Sequence, residues 1–300
     1  MELIRPNTNF DFVYYLKPAI AFSLVLILIG LASLWYRGGP NYGVDFVGGT
    51  VVHVKFNQPT TIADIRQALA TTDLVGGTVQ DFGQGGNEFL IRLPVAEAVT
   101  EDISAKVKQG LVGKFGEKAF EVRRIETVGP KVGRDLQRKA ILAVVFSALV
   151  MGVYVAIRFE PRFGIGAAVA LFHDVLITIG ALSLMNMEFD LTVVAALLTV
   201  VGFSVNDTVI VCDRIRENMR KMRREGLSNI INKSLNETLS RTIITNGTAI
   251  LVVFVLYLLG GEVIHSFAFA LLVGFIFGTY SSIYVASPMV LLWEKAGQRA

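Results

Sequence analysis

Six stretches of this sequence are apolar for about the length that a helix needs to cross a bilayer. They are roughly Ala19–Tyr36, Lys139–Ile157, Gly164–Leu184, Leu191–Val211, Thr242–Leu259 and Val263–Trp293. A hydrocarbon core about 30 Å thick requires about 20 apolar residues at about 1.5 Å per residue. The composition agrees, since 53% of the 300 residues are apolar and 18% are charged, a balance unlike that of a soluble domain. The net charge of +3 is too small for a global basic field, which argues against nucleic acid as a partner. The single cysteine, Cys212, excludes an internal disulfide and reads as a small apolar residue. The first run is long for the apolar part of a secretory signal, lacks a strongly basic front and is followed by no A-x-A site, so a retained anchor is expected. The sixth run exceeds one span and is expected to tilt or to lie along the interfaces.

Orientation follows from Lys and Arg in the short connections. Arg158 and Arg162 follow the second run, eight basic residues lie between Arg214 and Arg241, and Lys295 and Arg299 follow the sixth. The connections Asn186–Asp190 and Gly260–Glu262 hold neither. Both termini and a basic loop, 214–241, are therefore expected in the cytoplasm. The expected layout is 1–36 for the N-terminus and first span, 37–138 for a domain on the outer side, which the family resemblance described below makes the periplasm of a bacterial inner membrane, and 139–300 for the other five spans.

Residues 37–138 have ordinary soluble composition. Gly43–Phe56 reads as a strand and Thr60–Ala70 as a short helix capped by Thr60 or Thr61. Val75–Phe82 and Glu88–Leu93 read as a hairpin around GQGGN, Val95–Phe115 as a helix and Ala119–Val128 as a strand. The order β-α-β-β-α-β is the ferredoxin-like pattern of an α+β domain. The fold class expected is thus an α-helical membrane protein with six transmembrane helices and one extracytoplasmic α+β domain between the first two. Gly129, Pro130 and Gly133 suggest a hinge at Val128–Arg134. His53 is the only histidine of the domain, no catalytic grouping or metal-ligand spacing occurs, and no P-loop is present.

Ionisable groups inside hydrocarbon are costly and mark function. The third run places His173 and Asp174 near mid-span, and the fourth places Asn206, Asp207 and Thr208 together. Asp207 lies about 9 Å inside Asp213 and Arg214, too deep for a carboxylate to reach water. The fifth run opens with Arg241, and Thr245 and Thr248 follow on the same stripe. Each group has a plain structural reading: a protonated carboxyl joining helices, a packing pair, an interfacial arginine. Together they suggest one polar core in which Asp207 takes and gives a proton as a cation moves. The setting lacks the paired carboxylates of an aspartyl protease and the serine–base pair of a hydrolase. In the sixth run Ala270, Gly274, Gly278 and Ser282 recur every four residues, a ridge that admits a close helix from this chain or another.

The stretches GVDFVGGT (Gly43–Thr50), VGPKVGRDL (Val128–Leu136), FHDVLITIG (Phe172–Gly180), FSVNDTVIVCDRIREN (Phe203–Asn218) and SLNETLSRTIITNGTAI (Ser234–Ile250) together resemble the SecF family. These are the smaller membrane subunits of the SecDF accessory to bacterial preprotein export, within the resistance-nodulation-division superfamily. The resemblance implies pairing with SecD, association with YajC and the SecYEG channel, and action on translocating preproteins. It implies no cofactor beyond the proton gradient and no enzymatic activity. It places Asp207 and Arg241 in a proton pathway to which the region of Asp174, His173, Asn206 and Thr245 is expected to belong. Two other functions compete. One is a passive scaffold for SecD and the channel, and the other is a small-molecule exporter, against which a length of 300 residues argues.

Overall fold

A computed structural model describes residues 9–72, 77–82, 86–93 and 100–297. Its elements run α1 (Leu16–Arg37), β1 (Asn41–Tyr42), α2 (Val44–Val47), β2 (Gly49–Phe56), α3 (Ile62–Ala70), β3 (Thr78–Asp81), β4 (Glu88–Leu93), α4 (Thr100–Phe115) and β5 (Phe120–Val128). There follow α5 (Pro130–Arg158), α6 (Pro161–Leu184), β6 (Glu188–Phe189), α7 (Leu191–Lys221) and α8 (Leu227–Leu259). The last span is α9 (His265–Ser281), a π-helical turn (Ser282–Ala286) and α10 (Ser287–Gly297). Among the described residues, six helices are long and apolar enough to cross a membrane: α1, α5, α6, α7, α8 and the last span to Trp293. The chain is a multipass membrane protein. It divides into two compact units, one of Met1–Asn41 with Ile141–Ala300, the other of Tyr42–Ala140.

In the smaller unit the strands form an antiparallel sheet in the order β3-β4-β2-β5. Alternation along β2 sends Val52, Val54 and Phe56 into the core with Phe89, Ile91 and Leu93 of β4. Ile65 and Leu69 of α3 and Val107 and Leu111 of α4 cover that face. Thr61 is the cap of α3, since its Oγ1 accepts the Asp64 N–H at 3.2 Å. On the opposite face Glu88 takes Lys55 and His53, each at 3.0 Å. The Lys55 ammonium, with His53 and Arg123, holds the Glu88 carboxyl below its usual range.

Two expectations for this unit are corrected. Gly43–Phe56 is not one strand: α2 precedes β2, and Gly48 and Gly49 turn the chain between them with φ of 83° and 131°. A Cβ at Gly49 would lie 2.5 Å from the Leu93 carbonyl oxygen, so a side chain is excluded there. Nor does Val128–Arg134 break the chain. Pro130 is the first residue of α5, where its missing N–H leaves no gap, and the helix continues through Gly133. Gly133 instead lets the Phe46 carbonyl approach, since a Cβ would stand 2.7 Å from its oxygen. Parts of the expected strand at 75–82, of the GQGGN turn and of the helix at 95–115 lie outside the described residues.

In the larger unit α6, α7 and α9 form the buried centre, and α1, α5 and α8 present mostly apolar outer surfaces. Glycines set the closest approaches. A Cβ on Gly30 of α1 would lie 2.8 Å from the Gly180 Cα of α6. Two of the helices run on well past the ends of their apolar runs. With 31 and 33 residues, α7 and α8 are about 46 and 50 Å long, well beyond a hydrocarbon core of about 30 Å. Most of the basic segment 214–241 is therefore helical, with only residues 222–226 between the two helices. Buried Ile215, Leu227, Ile230, Ile231 and Leu235 hold this hairpin together. Arg214 Nε lies 2.7 Å from Glu237 Oε2, and Asn218 Nδ2 donates to Ser234 Oγ at 3.0 Å and to Glu237 Oε2 at 2.7 Å.

Candidate functional site

Two carboxyls lie inside the bundle, Asp174 on α6 (0% exposed) and Asp207 on α7 (2% exposed). Each is held by hydroxyls from neighbouring helices. Thr242 of α8 donates to Asp207 Oδ1 at 3.0 Å, and Ser282 of the π turn donates to Oδ2 at 2.5 Å. Ser204 of α7 and Ser281 of α9 donate to Asp174 Oδ2 at 2.6 and 2.8 Å. Such bonds replace the water that a buried carboxyl has lost, and they suit a carboxylate, which only accepts.

Asp174 also meets His173, whose Nδ1 lies 2.9 Å from Oδ1. The other ring nitrogen, Nε2, lies 3.0 Å from Ser23 Oγ of α1. Ser23 donates to the Tyr280 hydroxyl at 3.1 Å, and Tyr280 donates to the Ala19 carbonyl at 2.6 Å. Whichever tautomer the ring adopts, these contacts tie α6 to α1 and to Tyr280 of α9.

The sequence-predicted residues divide between two surroundings. Asp207, Asp174 and His173 share the buried centre. Asn206, Arg241 and Thr245 do not join it, and all three are exposed on this chain. The face that α8 turns toward Asp207 is carried by Thr242, and Asn246 beyond it donates to Thr279 Oγ1 at 2.8 Å. Thr245 lies away from that face because adjacent helical positions are separated by about 100°. The small-residue ridge is occupied within this chain. Ala270 is fully buried, a Cβ at Gly274 would strike Val200 of α7 at 2.1 Å, and one at Gly278 would lie 3.2 Å from Ser204 Cβ. Ser282 does more than pack, because it binds Asp207. Sequence reasoning missed Thr242, Ser204, Ser281, Ser23 and Tyr280 as partners of the buried acids, having considered serine only for the hydrolase that it set aside. Serine and threonine are ordinary in membrane helices, and their spacing from a buried acid is legible only once the helices are docked.

Comparison with known proteins matches residues 107–296 to the family model "Protein export membrane protein SecD/SecF, C-terminal" and residues 38–60 to the "SecD/SecF GG Motif". The second includes Gly48 and Gly49, whose backbone turn is described above. A protein translocase subunit SecF of Magnetococcus marinus is 48% identical over 100% of this chain and 96% of its own length. One of Desulfurispirillum indicum is 45% identical over 92% of this chain and 89% of its own. Among solved structures, SecDF of Thermus thermophilus superposes with a TM-score of 0.84 at 35% identity, covering 97% of this chain. A super-membrane-facing form of SecDF gives 0.72 at 34% identity over 100% of it. The chain spans 40% of the length of each of those two SecDF chains. It belongs to the SecF family of protein translocase subunits.

Proposed function

We propose that this chain works in protein export as the partner of a SecD subunit, and that it draws on the proton gradient through Asp207. The observation that carries the reading is a carboxyl sealed in the bundle and held by two hydroxyls, Thr242 and Ser282, with no cation bonded to it among the described residues. Such a group changes protonation only if the bundle rearranges, which ties proton exchange to movement. A membrane potential supplies about 2.3 kcal/mol per charge per 100 mV, so a few protons suffice to move a domain.

Arg241, Thr245 and Asn206 sit on the exposed surfaces of α7 and α8 and form the side from which a second half of the machine completes the proton path. Coupling sites at the interface between halves are the general pattern of transporters built from repeats. His173 and Asp174 belong to the same path. In this reading residues 37–138 are a ferredoxin-like domain on the periplasmic side and both termini face the cytoplasm, an orientation that the distribution of Lys and Arg supports. YajC, the SecYEG channel and late-stage preproteins are the remaining partners.

The test is release of a secreted reporter from spheroplasts carrying Asp207→Asn, with and without an uncoupler, after assembly with SecD has been verified. Asparagine keeps the shape and cannot cycle a proton. Release is expected to fall to the uncoupled level and to stop responding to the uncoupler. Normal, gradient-dependent release would make Asp207 structural and favour a passive scaffold.

A further inference from the structure

We propose that Ser281 and Ser282, at the point where the last span changes from α to π winding, couple the two buried carboxyls, so that the proton state of Asp207 is transmitted to Asp174. The inference rests on the proposed reading of Asp207 as a proton-exchanging group and names the residues that carry its signal.

Consecutive helical residues point about 100° apart, so two neighbours on one helix can serve two different helices. Here they do. Ser281 donates to Asp174 Oδ2 on α6 at 2.8 Å, and Ser282 donates to Asp207 Oδ2 on α7 at 2.5 Å. Both serines are fully buried. Ser204 ties α7 back to Asp174, which closes a loop of contacts among the three helices.

Each serine has one hydroxyl proton and a second acceptor within reach. For Ser281 it is the Gly278 carbonyl at 3.1 Å, and for Ser282 the Thr279 carbonyl at 2.9 Å. While Asp207 is a carboxylate, Ser282 gives its proton to Oδ2 in a charge-assisted bond. When Asp207 takes a proton, its carboxyl becomes a donor and Ser282 turns its own proton toward Thr279. The hydrogen bonds at the α-to-π junction then change, next to the residue that holds Asp174. The other end of the π turn is pinned by Ser287 Oγ, which donates to the Ser282 carbonyl at 2.9 Å. A π turn inside a helix is a local register fault that recurs at functional sites. It gives the span two alternative windings, the kind of bistable element through which a small change is transmitted.

Among the described residues, the titratable and charged groups facing this cluster are few. His173 on α6 is bonded to Asp174, and Tyr280, one residue before Ser281, stacks on His173. Tyr284 lies in the π turn with its ring 5.2 Å from that of Tyr280. Arg241 on α8 precedes Thr242 and is exposed. Cys212 is buried further along α7. None of these bridges the two carboxyls by hydrogen bonds as the serine pair does.

The experiment is infrared difference spectroscopy across pH on the complex with its SecD subunit in lipid, with aspartate isotope-labelled. Asp174 is followed in the parent and in Asp207→Asn, and the same pair is repeated with Ser281→Ala and Ser282→Ala together. In the parent background, Asp207→Asn is expected to move the Asp174 midpoint by about one pH unit, the size at which two sites titrate as a pair. In the double-alanine background that response is expected to fall to less than half. Ser282→Thr, which keeps the hydroxyl, is expected to retain it. An undiminished response without the serines overturns the proposal, as does loss of the response in Ser282→Thr, which would assign the effect to packing. If no titrating band is lost on Asp207→Asn, the proton-exchange reading itself fails and takes this inference with it. A band that is present, with coupling indifferent to the serines, overturns only the inference.

Discussion

Gly274→Ala is the sharpest test of how the bundle is held together. The added methyl would lie 2.1 Å from Val200 Cγ2 and 2.8 Å from Cγ1, where carbon atoms in contact stay about 3.5 Å or more apart. The helices must therefore part by about 1 Å, or Val200 must change rotamer. A β-branched residue in a helix has essentially one favoured χ1, and Val200 is fully buried, so the second route is also closed. Overpacking of this kind costs about 1–3 kcal/mol. A contact this short belongs to the upper part of that range, about 2–3 kcal/mol, and alanine recovers about 1 kcal/mol through its better helix propensity, which leaves a net loss of about 1–2 kcal/mol. That is a factor of about 5 to 30 in the folded-to-unfolded ratio. The assay is reversible unfolding of the purified chain by SDS in mixed micelles, followed by far-ultraviolet circular dichroism. Gly247→Ala on α8, where a Cβ meets nothing within 4 Å, is the control and should be neutral or stabilising. Val200→Ala should rescue Gly274→Ala, with an interaction term of about 1 kcal/mol in the double-mutant cycle. If Gly274→Ala unfolds at the same SDS fraction as the parent, or if Val200→Ala fails to rescue it, the close approach of α9 to α7 is not the constraint described here.

Two further outcomes are expected away from the membrane-embedded site. Glu88 has its carboxyl depressed by Lys55 first, then His53 and Arg123, so its contribution is present above the unfolded value of 4.5 and is lost as pH falls through the lower folded value. Hydrogen exchange at β2 and β4 amides should accordingly accelerate in acid, and Glu88→Gln should flatten that dependence; an unchanged pH profile would remove Glu88 from the account. At the other end of the chain, Asn236 Oδ1 accepts the Phe10 N–H at 2.8 Å and its Nδ2 donates to the Phe10 carbonyl at 2.9 Å, while Asn232 takes the Phe12 N–H at 2.8 Å. Asn236→Ala should release this segment, with about fivefold faster exchange at Phe10 for about 1 kcal/mol of lost bonding, and protection that persists would show that Asn232 and the packing of Phe12 hold it without Asn236.

Much of the architecture was legible because it depends on one-dimensional quantities. The length and purity of the apolar runs set the number of spans, and the depth of Asp207 follows from counting residues along a helix. In the smaller unit, alternation in β2 and β4 and helical spacing in α3 marked the core faces, because a sheet with one covered side must alternate. The short helix before Gly48 was not legible, since GVDFVGG has a strand-like composition and the turn depends on φ values that only glycine reaches cheaply. The long hairpin of α7 and α8 was hidden by its charges, which read as a loop until Glu217, Glu237 and Asn218 are seen to pair them off.

The site itself divides along the same line. The sequence by itself determined that acids lie within apolar helices, and an ionisable group in hydrocarbon is conspicuous in any window. Only the tertiary structure decided which neighbours answer them. In a span that is apolar all round, no polar stripe reveals the inward face, because lipid and protein interior are equally apolar. Thr242 faces Asp207 while Arg241 and Thr245 face outward, and Ser281 and Ser282 reach two different acids, because helix rotation and the π turn set those directions. Both are consequences of how six helices dock, through glycine contacts far along the chain from the residues they orient.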